Sequence, residues 1–570
     1  MTFLFVMCIF SSLLNSDQTF STSERRTAMK YLKNKKLILG LFVMLVFMFL
    51  TFTAFSLYDT SRSLYEKIEL FGTILRRINY DYVDEKDPSD LLESAIKGMV
   101  SSLDPHTNYL SSKQYNRWNQ SFEGYSGIGI TFDIIRNKIT VMSVFKEGPS
   151  EKVGLQPGDR IVKINGESAI GMKRDDVPLH LMGPKGTTVD VEVERSGWDR
   201  TRKFTLVRDE IHVESVPYAF MLKPGLGYIK IARFSATTGD ELEEALDKLE
   251  QLGMTNLVLD LRQNGGGYLD AAVAVTDKFL TGGKKIVYTN GRTSGSLREY
   301  YSTAASTHPM MPLMVLIDRT SASASEIVSG ALQDWDRALI VGETSFGKGL
   351  VQSQYRFRDG SVLLMTTAKY YTPVGRLIQR AFDDKSVEEY YTEVFVDSLR
   401  QHLNENKTSD NIFKSELLGR IVYGGGGITP DKFLKADDDT ISHVLRDIYY
   451  HAERPFFTYV EDYLKDHSNL KMEMNDFILS YHPGPRVLDQ FYDHLQRLGI
   501  TINHEQFKAN EKDIQFLLKQ AIANKIWGSE AQFKVQMLRD NQLVEALNYL
   551  PDARILLSKA YSDELGTVVR

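Results

Sequence analysis

The chain has 570 residues, with 68 Lys and Arg against 74 Asp and Glu for a net charge of −6, and 42% hydrophobic and 25% charged residues. That balance is ordinary for a globular protein and excludes a polyanion-binding one, while the length calls for roughly three to five domains. The only cysteine, Cys8, lies at the extreme N-terminus, so the folded part has neither an internal disulfide nor a cysteine zinc site.

The first element is apolar. Residues 37–57 form a run of 21 residues without a charge. At 1.5 Å per residue it reaches about 30 Å, the hydrocarbon thickness of a bilayer. Arg25, Arg26, Lys30, Lys33, Lys35 and Lys36 precede it and Asp59 follows, so the positive-inside rule places residues 1–36 in the cytoplasm. A cleaved secretory signal is the alternative, but this run is longer than such signals use and has only a poor cleavage site near Thr53-Ala54. The expectation is a single-pass anchor in the inner (cytoplasmic) membrane, with the rest facing the periplasm or cell exterior. Met29-Lys30 also reads as a start, which would make residues 1–28 an over-extension.

Residues 59–122 read as helical, with apolar spacing through Leu64, Ile68, Leu70, Ile74, Leu75 and Ile78, then Leu91, Leu92, Ile96 and Met99. Residues 123–212 change to short β runs such as GIGITFDII, KITVMSVF and TTVDVEVERS, the texture of one small β-rich domain. There Gly127, Ile128, Gly129 and Ile130 would present successive backbone N–H groups, a nest suited to a carboxylate. A helix over Asp175–Met182 would set the apolar Val177, Leu179 and Leu181 beside it.

Over residues 213–436 strands alternate with helices: strands at Leu226–Ile231, Asn256–Asp260 and Pro312–Ile317, helices at Thr238–Leu252, Leu269–Phe279 and Ala322–Leu332. A hairpin follows, turning at Asp359-Gly360, then a polar insertion, residues 380–418. Residues 437–570 read as charged amphipathic helices, a packing or oligomerisation element, possessing no metal pattern such as H-E-x-x-H.

Chemistry belongs where strands open into loops or helix N-termini, and three places qualify: DLRQNGGG at 260–267, SASASE at 321–326 and GETSFGKGL at 342–350. The last nearly spells the phosphate loop G-x-x-x-x-G-K-[ST], but Gly349 has no hydroxyl to place on Mg²⁺, which argues against a nucleotide. In the second, a serine at a helix start has free N–H groups beside it, the geometry of a nucleophile with an oxyanion hole. A serine needs a base, and none of the 11 histidines lies in these motifs. A lysine serves if burial lowers its pKa from about 10.4 toward about 7–8. Lys348 has apolar company, and on a strand Gln352 would project to the same side, where its neutral amide could orient the amine without re-charging it.

These motifs together, with TTAKYYTPVGRLIQ, SLDPHTNYL and the PDZ-like EGPSEKVGLQPGDRIVKING, closely resemble the C-terminal processing peptidases, or tail-specific proteases. The resemblance implies an α+β multidomain architecture: a crotonase-like ββα protease core behind a PDZ-like domain. It implies Ser323 as nucleophile, Lys348 as base and Gln352 as the residue positioning it, a choice among Ser321, Ser323 and Ser325 that spacing alone leaves open. The oxyanion donors implied are the N–H groups of Ala324 and of a glycine in the 265–267 run, Gly266 by preference. No cofactor, metal or nucleic acid is expected; the expected partners are protein substrates with free, apolar C-termini. The rival readings are a non-catalytic PDZ-type scaffold of the cell envelope and a nucleotide-dependent enzyme.

Overall fold

The computed structural model describes residues 64–304, 307–308, 310–382, 385–396, 411–436, 442–466 and 472–562. The anchor expected at 37–57 lies outside the described residues, and no described helix is long and apolar enough to cross a membrane. The chain divides into two compact units, Met1–Gly98 and Met99–Arg570. In the first, residues 64–81 are helical and Pro88 opens the helix Pro88–Ser101, as the apolar spacing predicts.

In the second unit the helical expectation holds to Ser101 and again over Ser112–Glu123, and fails between them. Asn108–Leu110 is a strand, paired antiparallel with Val362–Tyr371. Asp104 causes the break: its carboxylate accepts the amides of His106 and Thr107 (both 2.8 Å) and the Thr107 hydroxyl (2.6 Å), a local turn that competes with helix.

A six-stranded sheet lies at the centre, in chain order Tyr218–Lys223, Leu226–Lys230, Asn256–Asp260, Leu313–Ile317, Leu339–Gly342 and Lys432–Phe433. The first pair is antiparallel and the rest parallel. These strands read as unbroken apolar runs because both faces are covered. Leu257, Leu259, Val315, Ile317 and Ile340 pack with the helices Thr238–Gln251, Leu269–Asp277 and Ala324–Asp334. On the opposite face Val258, Met314, Leu316, Leu339 and Val341 pack with Met537, Leu543, Leu550, Ala553 and Leu556. The last helices of the C-terminal region therefore complete the core, with each fully buried leucine contributing about 1.5–3 kcal/mol.

A second sheet holds Asn108–Leu110, Val362–Tyr371, Lys285–Asn290 and Arg298–Tyr301 in that order, with Leu350–Arg356 also on Val362–Tyr371. A third, Ile130–Ile135, Lys138–Val144, Arg160–Ile164, Thr188–Glu194 and Arg202–Val207, has its own core, in which Val189, Val191 and Val193 point inward at alternate positions. The helices between His443 and Met537 form another core and meet this sheet through Arg160–Glu461 (2.8 Å), Arg136–Glu453 (2.7 Å) and Arg454–Asp133 (2.6 Å).

Candidate active site

The strand Asn256–Asp260 ends in a buried charge cluster. Burial alone would raise the Asp260 carboxyl, but Arg262 (2.6 Å) and Lys230 (3.1 Å) hold it well below the usual carboxylate range, and Tyr228 donates to it at 2.7 Å. Arg262 also reaches Asp540 at 2.6 Å, tying the loop to the C-terminal helices. Beyond it Asn264 donates to the Ile231 carbonyl (2.8 Å) and accepts the Gly266 amide (2.9 Å). Gly266 lies at φ +96, where a Cβ would stand 2.7 Å from the Ser323 Cβ and from the Ala322 carbonyl, so only glycine permits this approach.

Because the Gly266 amide is engaged by Asn264, it differs from the free donor that the sequence reading assigns to it. The amides of Gly265 and Gly267 on either side donate no hydrogen bond among the described residues, nor does that of Ala324.

The three serines of SASASE separate clearly. Ser321 and Ser325 are fully buried, and their hydroxyls donate to the carbonyls of Leu261 (2.8 Å) and Asn264 (2.9 Å). The Ser323 hydroxyl donates no hydrogen bond among the described residues; its oxygen faces the Glu326 amide in a capping box. Ser323 precedes the helix Ala324–Asp334 at φ 56, ψ −112, a conformation costly for a residue with a Cβ and typical of functional turns.

Glu326, wholly buried, holds this turn against the lysine loop. Its carboxylate accepts the amides of Ser323 (2.8 Å), Gly347 (2.7 Å) and Lys348 (2.9 Å) and the Ser345 hydroxyl (2.5 Å). Burial pushes the carboxyl up to about 7, with the four donors acting in the opposite direction. The motifs of the sequence give Glu326 no role; its place three residues after Ser323, the capping-box position, is the signal that marks it.

Lys348 is half-buried, and burial lowers its ammonium below the usual lysine value, against the raising influence of Glu326 and Asp104. Its amine donates to Gln352 Oε1 at 2.7 Å, and Gln352 Nε2 donates to the His106 carbonyl at 2.6 Å. Strand parity is not what joins the two residues: Lys348 precedes the strand Leu350–Arg356, whose register shifts between Val351 and Gln352. Tyr370 donates to the Lys348 carbonyl at 2.6 Å.

His106 was missed. Its ring packs against Phe346, Tyr390 and Tyr391 and bonds the two tyrosine hydroxyls (3.2 and 3.0 Å). Burial, with Lys348 beside it, pushes the imidazole down to about 3, Asp104 opposing. Tyr390 and Tyr391 come from the 380–418 insertion, of which residues 383–384 and 397–410 lie outside the described residues, and Arg380 donates to the Tyr390 carbonyl at 2.8 Å. The insertion thus walls the site.

In the β-rich sheet, Gly127, Ile128, Gly129 and Ile130 are all buried. The amides of Ile128 and Gly129 donate no hydrogen bond among the described residues, while their carbonyls accept from Ser150 and Phe145 (both 3.0 Å). The adjoining helix is shorter than expected, Val177–Leu181. Val177 and Leu181, one turn apart, join the core with Ile128 and Ile130, which leaves only Leu179 exposed. Ile130–Ile135 pairs on one side only and is an edge of its sheet.

The family "Peptidase family S41" matches residues 225–385, and "PDZ domain" matches residues 126–206. A "Carboxy-terminal-processing protease" of Bartonella bacilliformis is 37% identical over 326 residues, 56% of this chain and 74% of that protein. "Carboxy-terminal processing protease CtpB" of Bacillus subtilis is 37% identical over 308 residues, 53% of this chain and 64% of its own length. Among solved structures, the "photosystem II D1 C-terminal processing protease" is 27% identical, covers 64% of this chain and 86% of its own, and superposes with a TM-score of 0.31.

Proposed function

The chain belongs to peptidase family S41 as a serine-type, C-terminal processing protease with a PDZ domain, and from that premise we propose that Ser323 and Lys348 form its catalytic dyad on a crotonase-like core. In this reading Lys348, as a neutral amine, takes the proton from the Ser323 hydroxyl as its oxygen attacks the scissile carbonyl carbon. The tetrahedral oxyanion is stabilised by the Ala324 amide and one amide of the 265–267 run; Gly266 serves if it shares or gives up its bond to Asn264, otherwise Gly265 or Gly267 does. Lys348 returns the proton to the leaving amine, and a water that it deprotonates releases the acyl group. Gln352 positions the amine. The observation that carries the reading is the pairing of the Lys348 amine with a neutral amide, together with a serine hydroxyl that donates to no other group among the described residues. A fluorophosphonate probe tests it: labelling should map to Ser323 and vanish in Ser323→Ala, whereas a non-catalytic scaffold would not label.

Substrates are captured, in this proposal, by their free C-terminal carboxylate at the Ile128 and Gly129 amides, which donate no hydrogen bond among the described residues, with the residues that precede the carboxylate extending along the edge strand Ile130–Ile135. Residues 37–57 are proposed as an inner-membrane anchor on their length and one-sided basic flank, the catalytic part facing the periplasm or cell exterior. Recovery of the full-length chain in a carbonate-washed soluble fraction would overturn the anchor.

A further inference from the structure

Helix Thr238–Gln251 presents Glu243, Asp247 and Glu250 at spacings of one and two turns, so their carboxylates share a face. Beyond strand Arg298–Tyr301, Thr307 and His308 lie against that face, and the His308 amide donates to the Lys278 carbonyl at 2.9 Å. The imidazole is only 4% exposed. Its Nδ1 meets Glu250 Oε1 at 2.6 Å, so Nδ1 is the nitrogen engaged by that carboxylate and Nε2 the one left to face the cluster. Nε2 is buried and has no hydrogen-bond partner among the described residues. The atom nearest in this cluster is Glu243 Oε1, 3.7 Å away and beyond hydrogen-bond range.

Glu243 is divided to match. Its Oε2 accepts from Lys278 (2.8 Å) and Thr307 (3.0 Å), while Oε1 accepts nothing and faces the histidine. Asp247 is exposed and has no partner among the described residues, and one ligand atom each from Glu243, Asp247 and His308 lie within 4.8 Å of one another.

We propose that Glu243 Oε1, an Asp247 carboxylate oxygen and His308 Nε2 bind a divalent transition-metal ion of the zinc class, which fastens Thr307 and His308 to helix Thr238–Gln251. Imidazole with two carboxylates is a zinc ligand set that leaves a position for water, and Glu250 on Nδ1 is the orienting carboxylate that metal-bound histidines usually have. Ligands about 2.0–2.2 Å from an ion stand roughly 3.3–3.6 Å apart, so the set must contract by about an ångström, which the exposed Asp247 side chain is free to supply. Glu243, Asp247 and Glu250 bring three carboxylates to the cluster, of which Glu243 pairs with Lys278, a concentration of negative charge that favours a dication. No sequence spacing announces the cluster, because His308 stands 58 residues beyond Glu250.

The full chain, stripped of metal, would be titrated calorimetrically with Zn²⁺ and followed by thermal melting. Wild type should bind one ion more than the Asp247→Asn, His308→Gln double variant, and saturating Zn²⁺ should raise the wild-type Tm but not the variant's. Glu250→Gln should keep the stoichiometry and weaken binding by about 10–100-fold. If His308→Gln does not fold, Asp247→Asn decides, since its side chain is exposed: a loss of tenfold or more in affinity supports the site. Unchanged affinity in that variant, equal stoichiometry in wild type and the double variant, or no Zn²⁺ bound by wild type would each overturn the proposal.

Discussion

The side-chain amide of Gln352 donates to the main-chain carbonyl of His106 at 2.6 Å, across 246 residues of sequence. That bond fixes which end of the amide faces Lys348, so the lysine meets an uncharged oxygen. Gln352→Glu should raise the pKa of Lys348 by placing an anion on it, and the free base then forms at higher pH. The rising limb of kcat/KM against pH should move up by about one unit or more, while Gln352→Ala should slow cleavage without abolishing it. A pH–rate profile of each variant checks this, and an unmoved limb in Gln352→Glu would remove Lys348 from the base role.

Lys348→Arg keeps the positive charge and should abolish cleavage, because a guanidinium does not deprotonate in a protein. Ser323→Ala should be equally inactive, each loss being about a thousandfold or more in kcat, and the double variant no worse than either single one. Thermal melts must show the variants folded. Near-wild-type cleavage by a folded Lys348→Arg protein would move the base elsewhere.

Glu326→Gln replaces an acceptor of four hydrogen bonds with a group whose NH₂ must face N–H donors. A buried mismatch of this kind costs about 1–3 kcal/mol. The variant should melt lower and lose activity by about a hundredfold, through misplacement of Ser323 relative to Lys348. Retained kcat with a lowered Tm would confine Glu326 to a stability role.

His106 is neutral in the folded protein down to about 3 but protonates near 6.5 when unfolded. Above 6.5 neither state binds the proton and pH has no effect through this group. Between 6.5 and 3 only the unfolded state takes it up, so stability declines as pH falls. His106→Phe should therefore narrow the loss of Tm between about pH 7 and about pH 4 by a few degrees. An identical acid dependence in the two proteins would contradict the buried, neutral imidazole.

Amidating the C-terminus of a cleaved peptide should slow its cleavage about tenfold or more, since the Ile128 and Gly129 amides would face an uncharged group. Comparing kcat/KM for the acid and the amide tests it. Equal values would mean that the PDZ domain does not read the carboxylate.

What the sequence determined by itself was local. Apolar alternation in TTVDVEVERS fixed an amphipathic strand, and continuous apolar runs such as Asn256–Asp260 fixed buried ones. Each depends on residues within a turn or a strand of one another, so composition and spacing carry the information. The tertiary structure alone decided which of three serines keeps a hydroxyl that donates to no other group among the described residues, because Ser321 and Ser325 are claimed by carbonyls some 60 residues away. It alone brought His106 to the lysine and engaged the Gly266 amide with Asn264. It also assigned the last helices to the sheet's second face, where Leu543 and Leu556 meet Val258 and Leu316. An amphipathic helix specifies that a face must be covered but not by what; only the packed chain supplies the partner.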